Sequence, residues 1–259
     1  MDLIKTDTRN GKKVGLFNSY IFKRIEMNKN FLGIITGQTG SGKSWSALSL
    51  GETLDSDFDI NNVCFSQKEF MDLVNGKTKQ LKKGSVLVFD EMQVTMSHLT
   101  YQSLQAQLLN YVLQTFRYRN FILLMTSPHF SFINASARKL FHSRMETVKI
   151  DFKNNKTHLK PFLLQVNQDD GSVYRKYLRI WTKETGVVPL KRLKLDKPSP
   201  DLIKAYEEKR KQFARDLNEK IAKQLEDIDQ KAQPKQLTLK QEQITDCLLY
   251  TSPSPRDRS

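Results

Sequence analysis

The chain is poor in cysteine and has no long apolar run. Cys64 and Cys247 are its two cysteines in 259 residues, too few for a disulfide framework and without the spacing of a metal-ligand set. No apolar stretch reaches the length of about 18 residues that a membrane span needs. The first residues, MDLIKTDTRNGKK, lack the apolar core of a signal peptide. These absences predict a cytoplasmic protein.

Charge of one sign is in excess. The formal net charge is +14 and the pI is near 9.6, which suits a polyanionic partner, nucleic acid first and an anionic membrane face second. Hydrophobic residues make up 38% of the chain, enough for a packed core. The length allows one large domain, or one domain with an appendage.

Short apolar runs alternate with helical patterns in the first part of the chain. Apolar runs predict buried strands at 31–36, 62–66, 85–91 and 120–128. Helical spacing predicts helices over 16–29, 44–54, 67–74, 100–117 and 132–142, with Ser66 as the cap of the third. The alternation predicts an α/β domain over residues 1–150, with a parallel sheet covered by helices on both faces.

The pattern changes after this domain. Three consecutive strands at 145–152, 158–166 and 172–181 predict an antiparallel meander, assigned to residues 151–190, which either extends the sheet or forms a small flap. Residues 191–246 are assigned to a basic linker, which begins near 187, and to a long helix capped by Ser199 with Pro200 in its first turn. The apolar stripe of this helix is predicted to consist of Leu202, Tyr206, Phe213, Leu217, Ile221, Leu225 and Ile228. The segment LTLKQEQITD (237–246) fits either a plain helix or the start of a truncated helix-turn-helix module.

The last residues, CLLYTSPSPRDRS (247–259), differ in character from the Lys/Gln/Glu-rich region before them. They resemble the translation of a transposase mosaic end joined to a sequencing adapter. We expect this tail to be non-native and the natural gene to continue beyond Asp246. A tail of this origin has no place in an argument about the fold.

The segment GQTGSGKS, residues 37–44, matches the P-loop pattern GxxxxGK[ST] in full. Its glycines let backbone N–H groups curl around a β-phosphate, and the helix that follows adds its positive dipole end. Lys43 is predicted to reach the β- and γ-phosphates, and the Ser44 hydroxyl to bind Mg²⁺. The predicted nucleotide-binding residues are Gly37, Gln38, Thr39, Gly40, Ser41, Gly42, Lys43, Ser44 and Trp45.

The segment VLVFDE (86–91) fits the second nucleotide motif, an apolar strand that ends in two acids. Asp90 is predicted to bind Mg²⁺, usually through water, and Glu91 to be the base that activates the attacking water. The pair is typical of water-activating ATPases, and small GTPase switches lack the glutamate. No Asn-Lys-x-Asp guanine-recognition motif fits either, so the sequence argues against a GTPase switch.

The strand predicted at 120–128 ends in polar residues. Motor ATPases carry a polar side chain at this point that contacts the γ-phosphate or the attacking water, and Thr126, Ser127 and His129 are the candidates.

Arginines flank the same strand. An arginine that reaches a neighbouring subunit's γ-phosphate stabilises transition-state charge and accelerates turnover by about 10³–10⁵-fold. The candidates are Arg117, Arg119, Arg138 and Arg144, and the sequence does not choose among them.

The ordered set of GQTGSGKS, FDE, FRYRN–FILLMTSP and FINASARKLFHSRME resembles the FtsK/HerA group of DNA-motor ATPases over about residues 30–150. Zot-type proteins of filamentous phages and ATPases of archaeal viruses and plasmids are similar. The resemblance implies a RecA-like core, assembly into a ring, commonly a hexamer, and ATP-driven movement of DNA. The group usually has Gln where this chain has Ser127, so Ser127, His129 or Gln93 supplies the sensing group.

The sequence therefore predicts a Mg²⁺-dependent ATPase that moves or packages DNA for a virus or plasmid, as a ring. The alternative is a Zot-like, ATP-dependent assembly or morphogenesis protein that acts on protein partners at a membrane. A P-loop kinase is disfavoured by the Asp90–Glu91 pair and by the lack of an arginine-rich lid.

Overall fold

The computed structural model describes residues 8–9, 12–13, 15–90, 119–182 and 186–232. The helices are α1 Leu16–Glu26, α2 Lys43–Leu54, α3 Gln67–Val74, α4 Ala135–Arg138 and α5 Pro200–Ala232. The first six strands are β1 Thr8–Arg9, β2 Lys12–Lys13, β3 Phe31–Thr36, β4 Val63–Cys64, β5 Val86–Phe89 and β6 Ile122–Ser127. The others are β7 Ser143–Asp151, β8 Lys156–Val166, β9 Val173–Tyr177, β10 Arg179–Thr182, β11 Gly186–Pro189 and β12 Leu193–Asp196. Single 3₁₀ turns lie at Ile60–Asn62 and Phe130–Phe132.

Eight strands form the central sheet in the order β12-β8-β7-β3-β6-β5-β4, and β9 pairs with β8. The pairs among β3, β4, β5, β6 and β7 are parallel, and the pairs that β8 makes with β7, β9 and β12 are antiparallel. Strand β6 lies between β3, which leads into the P-loop, and β5, which leads to Asp90. This interposed strand makes the arrangement RecA-like and confirms the predicted α/β fold class.

The sheet is buried on both faces, as the apolar runs predict. One face packs against α1, α2 and the first part of α5, and the other packs against α3 and the segment around α4. Along β3 the side chains of Phe31 and Ile35 belong to the first layer, and those of Leu32 and Ile34 to the second. All four are fully buried, because a strand between two helical layers has no solvent-facing side.

The predicted meander extends the sheet and is not a separate flap. Strand β7 pairs in parallel with β3, from Gly33 beside Ser143 to Thr36 beside Glu146, and then continues antiparallel to β8. The predicted third strand is divided, since β9 pairs with β8 whereas β10 pairs with β11 in a small sheet of its own. The meander therefore starts inside the core domain, and β7 crosses the predicted boundary at residue 150.

The basic segment predicted as a linker contains strands. Strand β12 pairs with the first part of β8 at the edge of the sheet. Leu193 and Leu195 are buried while Lys194 and Asp196 are exposed, which is the alternation of an edge strand with one covered face. The lysines made this stretch resemble a solvated linker, although its period of two also fits a strand.

Helix α5 begins as predicted and is the longest helix described. Ser199 lies just before Pro200, and its hydroxyl accepts the Leu202 amide at 3.4 Å. Met1–Phe213 form one compact unit and Ala214–Ser259 a second, in which α5 continues to Ala232. In the second unit Ile221 is 43% exposed and Leu225 is 57% exposed, so these two apolar side chains of α5 are in contact with solvent. Among the described helices, none is both long and apolar enough to cross a lipid bilayer.

Three predicted features lie outside the described residues: the helix at 100–117, the possible helix-turn-helix start at 237–246 and the tail at 247–259. The helix predicted at 132–142 is shorter, four residues in α4. Asn134 starts it by accepting the amides of Ser136 and Ala137 at 2.7 and 3.4 Å.

Candidate nucleotide site

The P-loop, residues 37–44, joins β3 to α2 at the carboxyl edge of the parallel strands. The amide of Ser41 donates to the Gln38 carbonyl at 3.1 Å, which closes the turn. Gly42 has a φ of 84°, a left-handed conformation that glycine adopts without strain, and α2 begins at the next residue. The first-turn N–H groups of a helix have no acceptor within it, which makes a helix start at a loop of this kind a favourable place for an anion.

Lys43 lies inside the loop. The residue is only 8% exposed, and its ammonium donates to the Gln38 carbonyl at 2.8 Å, across the loop. Gln38, Thr39 and Gly40 are exposed at the outer rim. The arrangement combines one cation with the backbone N–H groups of a glycine-rich loop, which is the chemistry that a polyphosphate needs.

Asp90 is the centre of a buried hydroxyl cluster. Its carboxylate is fully buried, and one oxygen, Oδ1, accepts from the Ser44 hydroxyl at 3.1 Å and also from the Thr126 hydroxyl. The sheet explains the second contact: Phe89, the last residue of β5, is level with Met125 of β6, so the residues that follow them, Asp90 and Thr126, are adjacent. The two predicted metal ligands, Ser44 and Asp90, are therefore brought together.

The side chains at this point fit Mg²⁺. A hydroxyl and a carboxylate are hard oxygen ligands, and a hydroxyl oxygen that donates its proton, as Ser44 does to Asp90, still has lone pairs with which a metal can be bound. In the described ranges no group of three or more His, Cys, Asp or Glu side chains gathers as a metal site. Mg²⁺ does not need such a group, because it usually keeps several waters and takes one or two protein ligands together with phosphate oxygens.

A tyrosine from the distant helix α5 completes the cluster. The Tyr206 hydroxyl donates to the second carboxylate oxygen of Asp90, Oδ2. Burial raises the pKa of Tyr206, and the charge of Asp90 and the bond to it raise that pKa further, while contacts with Ser44 and Arg210 oppose the rise. The phenol is therefore protonated and remains a donor.

Sequence reasoning placed Tyr206 in the apolar stripe of α5 and missed this contact. The available signal was that Tyr206 carries a polar end, which needs a partner when the ring is buried.

Thr147 of β7 packs closely behind the P-loop. Its hydroxyl donates to the Thr36 carbonyl at 3.2 Å and lies 2.8 Å from the Ser41 hydroxyl. A Cβ atom built on Gly37 would lie 1.8 Å from the Thr147 Oγ1 atom. Gly37 is required here by this close approach.

We therefore expect Gly37→Ala to destabilise the protein and to weaken nucleotide binding. Overpacking of this kind costs about 1–3 kcal/mol, which corresponds to a melting temperature lower by roughly 2–10 °C for a chain of this size. Thermal unfolding of the variant and the wild type measures this difference in melting temperature. Gly15→Ala is the matched control, because a Cβ atom at Gly15 meets nothing within 4 Å. Equal melting temperatures for the two variants would contradict the packing argument.

The three candidate sensor residues at the end of β6, Thr126, Ser127 and His129, contact different partners. Thr126 contacts Asp90, as described above. The Ser127 hydroxyl donates to the His129 carbonyl at 2.9 Å, inside its own turn. The His129 ring is exposed and lies 2.6 Å from the Ser131 hydroxyl. A sensing role for Ser127 or His129 stays a prediction, and Gln93 lies outside the described residues.

The three candidate arginines that the structure describes lie at different places in the fold. Arg119 precedes β6, at the amino end of the strand, and donates to the Val74 carbonyl at 2.8 Å. Arg144 of β7 lies near the loop, with its Nε 3.3 Å from the Thr36 hydroxyl and its guanidinium 2.7 Å from Glu146. Arg138 lies on α4. Arg117 and the predicted base Glu91 lie outside the described residues.

Trp45, the last predicted nucleotide contact, is half-buried at the start of α2. Its ring packs against the first core layer, and the Lys197 ammonium lies 5.1 Å from the ring centroid. The indole therefore contributes to holding α2 and lies next to the predicted magnesium ligand Ser44 in the chain.

Comparison with known proteins adds a limited similarity. Protein-family models gave no match to the chain, and neither did the curated proteins. Among the solved structures that match is the crystal structure of the N-terminal domain of zonular occludens toxin from Neisseria meningitidis. The similarity has a TM-score of 0.35 and 11% identity, and covers 57% of this chain and 94% of that one. At these values it carries no argument about function, and the strand order supports the RecA-like fold.

Proposed function

We propose that this chain is a Mg²⁺-dependent ATPase of the FtsK/HerA-like type that uses hydrolysis to move or package DNA for a virus or plasmid, as a ring. The observation that carries the proposal is the buried cluster of Ser44, Asp90 and Thr126 beside the P-loop. A strand between the P-loop strand and the aspartate strand brings these hydroxyls to one carboxylate. This is the arrangement expected of a site that holds a metal ion against the phosphates of a nucleotide.

Each residue has a chemical role in the proposal. The backbone N–H groups of the P-loop and the Lys43 ammonium hold the β- and γ-phosphates. Ser44 and Asp90 hold Mg²⁺, which neutralises charge on the phosphate oxygens when it is bound. Glu91, directly after Asp90, accepts a proton from the attacking water. A group at the end of β6 reports the γ-phosphate, and an arginine from a neighbouring subunit supports the transition state.

A basic cleft supports a polyanionic partner. We use this name for the cavity of about 320 Å³ lined by the cations Arg138, Lys139, Arg144 and Arg175. The guanidinium carbon of Arg144 lies 4.9 Å from the Phe130 ring centroid and that of Arg138 lies 5.9 Å from it. Glu146 pairs with both Arg144 and Arg175. Four of the residues that line the cleft are cationic and none is acidic, which suits the phosphates of a nucleic acid.

Double-stranded DNA is therefore expected to stimulate ATP hydrolysis by several-fold. The reason is that a motor completes its cycle faster when its track is bound. The measurement is the steady-state rate of phosphate release with and without duplex DNA. A rate that DNA leaves unchanged would contradict a DNA motor and favour the Zot-like assembly function, in which the partner is a protein. Phosphate transfer to a small molecule would indicate a kinase.

Variants of the basic cleft refine this test. Arg138→Gln/Lys139→Gln removes two charges from the cleft, and Lys68→Gln/Lys83→Gln removes two from exposed positions elsewhere. Each lost phosphate contact lowers the salt dependence of log K by about 0.9. We expect the cleft variant alone to lose DNA affinity and about one to two units of salt slope, as measured by fluorescence anisotropy. Equal losses of DNA affinity in both variants would show that DNA binding depends on the net charge of the protein and not on the basic cleft.

A further inference from the structure

The first part of helix α5 is built into the wall of the nucleotide site. Its N-terminal cap is hydrogen-bonded to α2. The Ser199 amide donates to the Glu52 carboxylate at 3.0 Å, and the Ser199 hydroxyl also donates to this carboxylate. One turn later Leu202 is buried, and Tyr206 is 2% exposed. Residues 199–206 thus connect α2, which begins at the P-loop, to the carboxylate of Asp90.

The next two turns bind the same helix to the strand beside Asp90. The Lys209 ammonium donates to the Val63 carbonyl of β4 at 2.5 Å and lies 3.6 Å from the Glu69 carboxylate. The Phe65 ring contacts those of Tyr206 and Phe213, with centroids 5.6 and 5.4 Å away. The position of Tyr206 is therefore determined by packing on both sides of it along the helix.

The two oxygens of Asp90 have separate partners. Oδ1 accepts from Ser44 and Thr126, and Oδ2 accepts from Tyr206. The Ser44 hydroxyl, the other metal ligand in the proposed function, donates to Oδ1. The Tyr206 phenol therefore holds the carboxylate through its second oxygen, Oδ2, and it also contacts the Ser44 hydroxyl.

We propose that Tyr206 is a positioning residue of the nucleotide site, whose hydroxyl orients Asp90 for Mg²⁺ and links the docking of α5 to the binding of Mg²⁺ and nucleotide. This inference rests on the proposed function, since it needs Asp90 to take part in magnesium binding. Partners that orient a metal ligand typically change metal affinity by about 10–100-fold when they are removed. The coupling is reciprocal, so a bound metal–nucleotide pair stabilises the docked helix to the same degree that the docked helix favours the pair.

The test is a magnesium titration of Tyr206→Phe. This change removes the hydroxyl and keeps the ring that packs on Phe65. The chain has two tryptophans, so a Trp181→Phe background leaves Trp45, next to Ser44, as the fluorescent reporter. Mg²⁺ is added to protein saturated with a non-hydrolysable ATP analogue. We expect a Kd for Mg²⁺ that is about 10–100-fold higher in Tyr206→Phe, with analogue binding in EDTA unchanged.

Tyr174→Phe is the matched control, because it removes one hydroxyl from a tyrosine that is 49% exposed. Its magnesium affinity should equal that of the wild type. A purely structural role for Tyr206 would lower the melting temperature of Tyr206→Phe without moving its magnesium affinity, and that result overturns the inference. Tighter magnesium binding overturns it as well, since it would mean that the phenol competes with the metal.

Hydrogen exchange of the α5 amides between 203 and 213 supplies a readout that does not depend on fluorescence. Mg²⁺ with the analogue should slow this exchange in the wild type and much less in Tyr206→Phe. If the wild type shows no magnesium-dependent nucleotide binding at all, the proposed function fails together with the inference. A wild-type response that Tyr206→Phe fully retains overturns the role of Tyr206 alone.

Discussion

A Lys43→Ala protein is expected to lose nucleotide binding. Lys43 is the buried cation of the P-loop, and its ammonium lies across the loop against the Gln38 carbonyl, where phosphate oxygens would be its alternative partners. Removing one member of a buried charge pair costs about 2–5 kcal/mol, or roughly 30-fold to several thousand-fold in affinity. Calorimetric titration with Mg²⁺ and ATP measures this loss directly.

Lys153→Ala serves as the control for Lys43→Ala. Lys153 is an exposed lysine in the turn between β7 and β8, so its removal changes the net charge equally and leaves the loop intact. Its ATP affinity should stay within about twofold of the wild type, because surface charges contribute little. Binding by Lys43→Ala within the same twofold would contradict the assignment of the P-loop.

Glu91→Gln is expected to bind ATP normally and to lose turnover. The amide of glutamine has nearly the shape of a carboxylate but cannot accept a proton from water, and general-base catalysis contributes about 10²–10⁴-fold to a rate. Glu91 lies outside the described residues, and the prediction depends on its place directly after Asp90 in the chain. Single-turnover hydrolysis, together with ATP binding on the same preparation, separates the chemical step from binding.

Two comparisons make this result specific. Glu26→Gln changes an exposed glutamate at the end of α1 and should leave hydrolysis unchanged. Asp90→Asn should instead weaken magnesium binding, because the metal ligand itself loses its charge. Hydrolysis by Glu91→Gln at the wild-type rate would show that another group activates the water.

Features that depend on neighbouring residues were predictable from the sequence. The run FLGIIT becomes β3 at Phe31–Thr36, as predicted, because four apolar residues and a closing turn allow little else. Ser66 caps α3 and accepts the Glu69 amide at 3.2 Å, and Ser199 caps α5. Such local signals depend on backbone geometry within about one helical turn, and the rest of the protein does not alter them.

Features that depend on distant residues were less predictable. The prediction of a linker over 187–200 did not include β12, whose partner β8 lies more than 30 residues earlier. The two alternatives for the meander, sheet extension or flap, differ only in whether β7 pairs with β3. The spacing of apolar residues along a strand shows that the strand has a buried face, but it does not identify the neighbouring strand.

Local sequence patterns were enough to identify the P-loop at 37–44, the aspartate that follows a buried strand at position 90, and the alternating α/β domain to which both belong. Each of these is a pattern of adjacent residues with a direct chemical reason. Long-range packing, by contrast, places β6 between β3 and β5 and brings Ser44, Thr126 and Tyr206 together at Asp90. Tyr206 is 116 residues from Asp90 in the chain. Their contact exists because the docking of α5 buries its apolar stripe, and a buried phenol and carboxylate must then satisfy each other.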